Sequence, residues 1–242
     1  MLCAKKLNDL IKTKYPDAEC LVLDSVDSTN TYAKKSSDIL LGLICARTQT
    51  AGRGRQGHSF YSPLDTGLYM TAVLPITPMQ AYEFSLTAAA AVACVRAISK
   101  LCKKTPHIKW VNDLYLDGKK IAGILTEADS NRVIVGIGIN VTTDIFPPDL
   151  PRAGSLGTDA DLSELAAAVF LELADMALKG DGSFMAEYRS LSMLLGKRLS
   201  YTQNGVLTEA KATAIDDMGR LEVRLDSGET AMLSSGEVNI VM

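Results

Sequence analysis

The stretch KWVNDLYLDGKKIAGILTEADSNRVIVGIGINV, residues Lys109 to Val141, carries the clearest information about the fold. It contains three apolar runs, DLYL, KKIAGILTEA and RVIVGIGINV, which are separated by short polar turns. The turn LDGKK has Asp-Gly at its centre, and this dipeptide is typical of a tight connection between antiparallel strands. Together with the run HIKWV, which overlaps its first three residues, the stretch predicts a sheet of consecutive, largely antiparallel strands.

Further strands and several helices are predicted on both sides of this stretch. Leu7, Leu10 and Ile11 share one face of a helix predicted over residues 4–14. The other helix candidates are TNTYAKKSS, with Ser28 as its N-cap candidate, AYEFSLTAAAAVACVRAISKLC, DLSELAAAVFLELADMAL and SFMAEYRSLSML. The other strand candidates before the central stretch are CLVLDSV, LLGLICAR and TGLYMTAVLP.

The pattern changes beyond Gly196 to short alternating strands with turn residues between them: KRLSYT, EAKATAID, GRLEVRL and TAMLS. This pattern is typical of a small β-barrel. We therefore predict an α+β fold with a domain boundary near Leu195. Residues 1–195 would form a mixed or antiparallel sheet with helices packed on it, and residues 196–242 the small barrel.

Composition and charge exclude several classes of protein. The 242 residues are 47% hydrophobic and 22% charged, as in an ordinary globular protein, and the net charge of −3 argues against nucleic acid or an anionic membrane as the main partner. The five cysteines form no C-x-x-C pair and mostly lie in apolar runs, which predicts reduced core residues. Because neither a signal peptide nor an apolar run of membrane-spanning length is present, we expect a cytoplasmic protein.

The segment TQTAGRGRQGHSF, Thr48 to Phe60, matches two nucleotide-binding patterns incompletely. Its glycines spell G-x-G-x-x-G, but no helical pattern follows the third glycine, as a dinucleotide site requires. It is also close to a P-loop, but His58 stands in the place of the phosphate-binding lysine. Arg53 and Arg55 between glycines instead indicate a flexible loop that covers an anion, with a solvated basic turn as the alternative.

Four motifs in order, DSVDSTNTYA, TQTAGRGRQG, KWVNDLYLDGKKIAGIL and VGIGINV, resemble the biotin protein ligases over residues 20–142. The β-rich tail resembles the C-terminal SH3-like barrel of that family. The resemblance implies that biotin and ATP form biotinyl-5′-AMP with loss of pyrophosphate, in the presence of Mg²⁺. The biotinyl group would then pass to a lysine of an apo biotin carboxyl carrier protein, such as a subunit of acetyl-CoA carboxylase.

The resemblance also implies roles for individual residues, most of which have a structural alternative. Ser28 could only cap a helix, Gln49 could be an ordinary loop amide, Asp113 could form a turn with Asn112, and Trp110 could fill the core. Catalytic roles are implied for Arg53, Arg55, Lys120 and Asp113. Contacts with biotin or the nucleotide are implied for Ser28, Thr29, Asn30, Gln49, Arg53, Gly54, Arg55, Trp110, Lys120 and Asn140. Asp113 and Asn140 are the candidate Mg²⁺ ligands, because Mg²⁺ prefers oxygen.

Some features depart from the family pattern or leave alternatives open. Val111 stands where the family has proline in K-W-P-N-D. Only about two dozen residues precede DSVDSTN, too few for a helix-turn-helix domain, which predicts a ligase that does not bind DNA. A lipoate or octanoate attachment enzyme of the same fold and a catalytically silent biotin or nucleotide sensor are the alternatives. The sequence allows a monomer or a homodimer.

Overall fold

The structure, a computed structural model, describes residues 2–76, 83–129, 131–180, 182–203, 205–234 and 236–241. The helices are α1 Ala4–Lys12, α2 Thr29–Lys35, α3 Glu83–Cys102, α4 Leu162–Lys179 and α5 Met185–Ser190. The strands are β1 Glu19–Leu23, β2 Gly42–Ala46, β3 Gly67–Pro75, β4 His107–Lys109, β5 Asp113–Leu116, β6 Lys119–Asp129, β7 Arg132–Asn140, β8 Arg198–Gln203, β9 Val206–Ile215, β10 Leu221–Arg224, β11 Thr230–Leu233 and β12 Val238–Ile240. The first two residues of the predicted helix AYEFSLTAAAAVACVRAISKLC lie outside the described residues.

Within the described residues, seven strands form one mixed sheet in the order β1-β2-β3-β7-β6-β5-β4. Only the β1–β2 pair is parallel, and the other pairs are antiparallel. The predicted LDGKK hairpin joins β5 to β6, with φ of 50° at Asp117 and 75° at Gly118, as a type I′ turn requires. The predicted α+β class with a mixed or antiparallel sheet is confirmed.

Helices cover both faces of the sheet. On one face, α1, α3 and α4 pack against each other and the strands to form the main hydrophobic core. On the other face, α2 packs on β2, β3 and β7 and buries a smaller cluster that includes Ala33, Ile44, Val73 and Ile134. Because successive side chains of a strand point to opposite faces, these central strands are apolar at nearly every position.

The C-terminal strands form a separate antiparallel sheet in the order β11-β10-β9-β8-β12. This is the expected SH3-like class, although no ladder among the described residues closes β11 onto β12. The final strand was not in the sequence prediction. The predicted helix SFMAEYRSLSML is shortened to α5, because the next residues pair with β4 instead: Ile108 N–H donates to Leu191 O and Met193 N–H to Ile108 O.

The two sheets meet at the connection between β4 and β5. The indole Nε1 of Trp110 donates to the carbonyl of Gly219 at 2.8 Å. The hydroxyl of Tyr188 on α5 donates to the carbonyl of Val111 at 3.1 Å. The Trp110–Val111 peptide bond is cis. The KWVND motif therefore lies at the joint between the two sheets.

A buried arginine holds the C-terminal end of α2 against the sheet. The side chain of Arg132 is 1% exposed, and its Nη1 donates to the carbonyls of Ser36 and Ile39, while Nη2 pairs with Asp129. These carbonyls follow the last turn of α2, where a positive charge also interacts favourably with the helix dipole. Arg132 therefore fixes the position of α2 from the end opposite to its N-terminus.

No helix in the described ranges combines the length and the apolar character that a membrane crossing requires.

We expect Arg132→Met to lower the free energy of unfolding by about 3 kcal/mol, because it breaks the ion pair of a buried guanidinium with Asp129 and removes its hydrogen bonds to the carbonyls of Ser36 and Ile39. Urea denaturation followed by circular dichroism measures the change. Arg224→Met, on the exposed side of β10, is the matched control and should change stability by less than about 0.5 kcal/mol. Equal effects of the two substitutions would contradict the role of Arg132.

Candidate functional site

A cavity of about 330 Å³ lies on the face of the large sheet that carries α2, next to the N-terminus of that helix. Its walls come from α2, the glycine–arginine segment, the strands β4 to β7, the loop after β7 and residues 236–239 at the start of β12. Of the site residues predicted from the sequence, these line the cavity: Ser28, Thr29, Asn30, Gln49, Arg53, Gly54, Arg55, Trp110, Asp113 and Lys120. Motifs far apart in the chain therefore converge on one site.

The glycine–arginine segment, defined as residues 52–60, folds as a narrow hairpin over this cavity. Phe60 N–H donates to Gly52 O at 2.9 Å and Gly54 N–H to His58 O at 2.7 Å, with a 3-10 turn at Arg55–Gly57. A Cβ on Gly52 would lie 2.4 Å from the carbonyl oxygen of Phe60, so this approach requires glycine. No helix follows before β3, and the dinucleotide and P-loop interpretations are therefore ruled out.

Two glycines of β7 make room for the residues that cover the sheet at the cavity. A Cβ on Gly136 would lie 2.2 Å from Asn30 Oδ1, and a Cβ on Gly138 would lie 2.4 Å from the ring of Phe60. Both separations are far below van der Waals contact. The alternate glycines of VGIGIN thus let α2 and the glycine–arginine segment lie directly on the strand, a reason that the sequence analysis missed.

The N-terminus of α2 is held by side chains rather than by a cap. Ser28 occupies the N-cap position, but its side chain makes no capping hydrogen bond, so that part of the expectation is wrong. Instead, Gln49 Oε1 accepts from the N–H and the hydroxyl of Thr29 at 2.9 and 3.1 Å, and Gln49 Nε2 donates to Ser62 Oγ. Thr71 Oγ1 lies 2.8 Å from Thr29 Oγ1 and 2.7 Å from Asn30 Oδ1.

Asp113 and Lys120 face each other across the β5–β6 pair. Lys120 Nζ lies 2.8 Å from Asp113 Oδ1, within ion-pair distance, although this buried oxygen has no partner with hydrogen-bond geometry among the described residues. A register shift between Leu114 and Tyr115 sets Lys120 opposite Tyr115. Lys119, as expected for a neighbouring strand residue, lies on the other side, where it lines a different surface hollow.

The two predicted arginines have different partners. The guanidinium of Arg53 makes two hydrogen bonds with the carboxylate of Glu127, at 3.1 and 3.0 Å. Nη1 of Arg55 lies 3.4 Å from Asn112 Oδ1, and no ion pair of Arg55 is present among the described residues. Arg55 is therefore the arginine of the pair whose charge is not matched by a carboxylate.

Asn140 is the predicted site residue that the structure does not bring to the cavity wall. Its Nδ2 donates to the carbonyl of Gly154 at 2.9 Å, and its buried Oδ1 has no partner within the described part of the chain. Asn140 thus holds the loop after β7, and that loop carries Leu150 and Arg152 to the cavity. Asp113 lines the cavity and Asn140 does not, and a joint role of the two residues as Mg²⁺ ligands stays a prediction.

Two further basic residues line the cavity that the sequence analysis did not select, Lys109 and Arg152. Burial lowers the pKa of Lys109, and the carboxylate of Asp113 opposes that effect. Lys109 is the first residue of the KWVND motif, so the motif could have identified it as a site residue. Arg152 lies in an irregular loop without a motif, and no sequence pattern gave a reason to select it. The described lining contains five Lys or Arg side chains and two carboxylates, Asp113 and Glu237. This excess of positive charge suits an anionic ligand.

Burial makes most of the cysteines poor candidates for an alternative nucleophile. All five are free, and of these only Cys3 is exposed. Burial raises the pKa of Cys20 to about 11 and that of Cys94 to about 12, so these thiols stay protonated and unreactive at neutral pH.

Residues 22–144 match the biotin/lipoate A/B protein ligase family, and residues 194–240 match the biotin protein ligase C-terminal domain. The chain belongs to the biotin/lipoate A/B protein ligase family. A biotin–[acetyl-CoA-carboxylase] ligase of Mycobacterium tuberculosis is 30% identical over 233 residues, which cover 90% of this chain and 87% of that protein. A bifunctional ligase/repressor of Bacillus spizizenii is 33% identical over 239 residues, which cover 90% of this chain and 73% of that protein.

Solved structures of the same family share this architecture. The biotin protein ligase of Aquifex aeolicus in complex with biotin and ATP superimposes with a TM-score of 0.82 at 25% identity, and the match covers 92% of this chain and 98% of that one. The match extends over both sheets, which agrees with the two family matches along the chain.

We expect Gly138→Ala to lower the free energy of unfolding by about 1–3 kcal/mol, because the new Cβ overlaps the Phe60 ring. Gly123→Ala is the matched control: it pairs with Gly138 across β6 and β7, but its Cβ would meet its neighbours at 3.5–3.6 Å, an ordinary contact. The control should change stability by less than about 0.5 kcal/mol. Urea denaturation of both variants measures the change in stability. An equal loss of stability in both would show that replacing any glycine of these strands is destabilising, whether or not the new Cβ meets Phe60.

Proposed function

We propose that this protein joins biotin to ATP as biotinyl-5′-AMP and transfers the biotinyl group to a specific lysine of a biotin carboxyl carrier protein, such as a subunit of acetyl-CoA carboxylase. The observation that carries the proposal is the convergence of four family motifs on one cavity with an excess of basic side chains. That charge is needed because the first step brings together a carboxylate and a triphosphate, which repel each other.

The first step is attack by a biotin carboxylate oxygen on the α-phosphorus of ATP, with breakage of the bond to pyrophosphate. We assign Lys120 to the carboxylate and the adenylate phosphate, where its charge stabilises the transition state. Arg55, Lys109 and Arg152 supply further positive charge along the cavity. In the second step, the amine of the carrier lysine attacks the carbonyl carbon, AMP leaves, and an amide forms.

The polar floor at the N-terminus of α2 suits the ureido head of biotin. Ser28 lines the cavity, and its side chain makes no hydrogen bond to cap the helix, so its hydroxyl is available to a ligand. Gln49 and Thr29 are bound to each other and to Ser62 and Thr71, which holds them rigidly at the floor. We therefore assign Ser28 to direct contact and Gln49 to positioning of the helix.

The residues present fit a Mg²⁺ ion only in part. Asp113 fits, because its carboxylate lies at the cavity, and its buried Oδ1, 2.8 Å from Lys120 Nζ, has no partner with hydrogen-bond geometry among the described residues. No group of three or more His, Cys, Asp or Glu in the described ranges could hold a metal ion. Asp113 would therefore hold Mg²⁺ together with phosphate oxygens of ATP, as is usual for this cation, and the ion would offset phosphate charge.

The same site argues for biotin attachment over the alternatives. Arg55, Asp113 and Lys120 all lie at the cavity, which favours a catalyst over a silent sensor. The match to a biotin protein ligase C-terminal domain favours biotin over lipoate or octanoate. We further propose a cytoplasmic protein that acts as a monomer or homodimer without binding DNA, and a domain boundary at Leu195.

The direct test is to incubate the protein with labelled biotin, Mg-ATP and an apo biotin carboxyl carrier domain. We expect label on the carrier and release of pyrophosphate. A carrier whose acceptor lysine is replaced by arginine is the control and should stay unlabelled. Binding of biotin without pyrophosphate release would favour the sensor, and label from octanoate or lipoate instead of biotin would favour the other class of enzyme.

We predict that Lys120→Ala slows biotinyl-5′-AMP formation about 10²–10³-fold, as removal of an electrostatic catalyst typically does. Lys119→Ala is the matched control, since Lys119 lies on the other side of the strand. Single-turnover formation of the adenylate measures the rate, and circular dichroism verifies the fold. Near-normal synthesis by folded Lys120→Ala would refute its assignment.

We predict that Asp113→Asn impairs the ATP half of the reaction and leaves biotin affinity within about threefold, because hard cations prefer a carboxylate. Calorimetry with biotin alone and then with a non-hydrolysable ATP analogue and Mg²⁺ separates the two. The control is Asp117→Asn in the β5–β6 turn, where asparagine tolerates the positive φ. Equal loss of biotin affinity without nucleotide would mean that Asp113 is structural.

A further inference from the structure

Glu127 on β6 is the meeting point of three elements beside the cavity. Its Oε1 accepts from Lys34 Nζ at 2.7 Å and from Arg53 Nη2 at 3.0 Å. Its Oε2 accepts from Asn30 Nδ2 at 3.0 Å and from Arg53 Nη1 at 3.1 Å. Asn30 and Lys34 belong to α2, and Arg53 belongs to the glycine–arginine segment. One carboxylate therefore joins a strand, a helix and the segment over the cavity.

This carboxylate is well suited to act as an anchor. Its side chain is 17% exposed, so water competes weakly for its oxygens. A carboxylate offers about four acceptor positions, and the four donors from Lys34, Asn30 and Arg53 use them. Burial raises the pKa of Glu127, but hydrogen bonds from Lys34, Asn30 and Arg53 outweigh it and hold the pKa below its usual value, so the group stays charged.

The pairing changes the role of Arg53. Two parallel hydrogen bonds between a guanidinium and a carboxylate fix orientation as well as distance. Because the charge of Arg53 is balanced by Glu127, this arginine adds little net positive charge for a bound anion. Its neighbour Arg55 has no ion pair among the described residues. The two arginines of GRGR therefore differ in what they can do.

We propose that Glu127 is the anchor of the glycine–arginine segment: it holds the segment over the cavity through Arg53 and orients Asn30, so that Arg53 acts by positioning and not by contact with the bound anions. This inference deepens the proposed function, and it rests on that function in the experiment that measures biotinyl-5′-AMP. Since Asn30 lies on Gly136 of β7, the anchor also keeps the N-terminal turn of α2 on the sheet.

The first experiment measures dissociation of biotinyl-5′-AMP from the wild-type protein, Glu127→Gln, Arg53→Met and the double variant. Each single substitution should speed dissociation about tenfold, the worth of one charge-assisted hydrogen-bonded pair. The double variant should be no faster than either single variant, because both remove the same interaction. For Glu127→Gln, adenylate formation at saturating biotin and ATP should change less than threefold.

The matched control is Lys34→Met, which removes another donor to Glu127 from a residue that does not line the cavity. It should leave dissociation unchanged. A direct electrostatic catalyst is expected to contribute about 100-fold to the rate. If Arg53→Met slowed adenylate formation by that much and Glu127→Gln did not, the proposal would be overturned. Effects of the two single substitutions that multiply in the double variant would overturn it as well.

The second experiment needs no ligand. It measures the rate at which trypsin cleaves the folded protein after Arg55. If Glu127 anchors the segment, Glu127→Gln should be cut about tenfold faster than wild type, because native-state cleavage follows the open population. Lys34→Met should be cut at the wild-type rate. Unchanged cleavage of Glu127→Gln would overturn the anchor. If the wild-type protein makes no biotinyl-5′-AMP, the proposed function fails, and the trypsin result still decides on the anchor.

Discussion

The site depends on one steric constraint, the absence of a Cβ at Gly136 and Gly138 of β7. The strand lies in the middle of the large sheet, where both faces are covered. Asn30 lies on one glycine and Phe60 on the other, at distances that any side chain would forbid. Helix α2 and the glycine–arginine segment can therefore approach the backbone closely. The remaining space between them and the strands is the cavity.

On this frame the protein builds a local charge that its net charge of −3 conceals. Five basic side chains reach the cavity from the segment, from β4, from β6 and from the loop after β7. Their spacing along the chain spreads the charge over separate elements, and Glu127 balances the charge of Arg53. This arrangement lets a protein with few basic residues in any one run bind a ligand with several negative charges.

The joint between the two sheets is made by the same motif that lines the cavity. Trp110 lines the cavity and also donates to Gly219 in the C-terminal part of the chain. Residues 236–239 complete the cavity from that side, where Glu237 lies 3.4 Å from His58 of the glycine–arginine segment. A change in the position of the C-terminal sheet would therefore change the geometry of the cavity.

The hairpin turn at Asp117 and Gly118 and the strands of the large sheet follow from local pattern. Short-range preferences and the spacing of apolar residues act within a few positions, which is why these predictions succeeded. Local pattern failed at residues 191–193, which read as helix but pair with β4. There the edge of β4 supplied backbone hydrogen-bond partners, and helix propensity takes no account of such distant partners.

The tertiary structure settled which charges are free and which are paired. Arg53 and Arg55 look equivalent in GRGR, but Glu127, 74 residues further on, pairs with Arg53. Lys109 and Arg152 joined the cavity, and Asn140 turned to the carbonyl of Gly154. Such long-range contacts exist only once β3, β6 and β7 are side by side. Hydrogen bonds and ion pairs act over about 3 Å, and chain folding alone brings their partners to that distance.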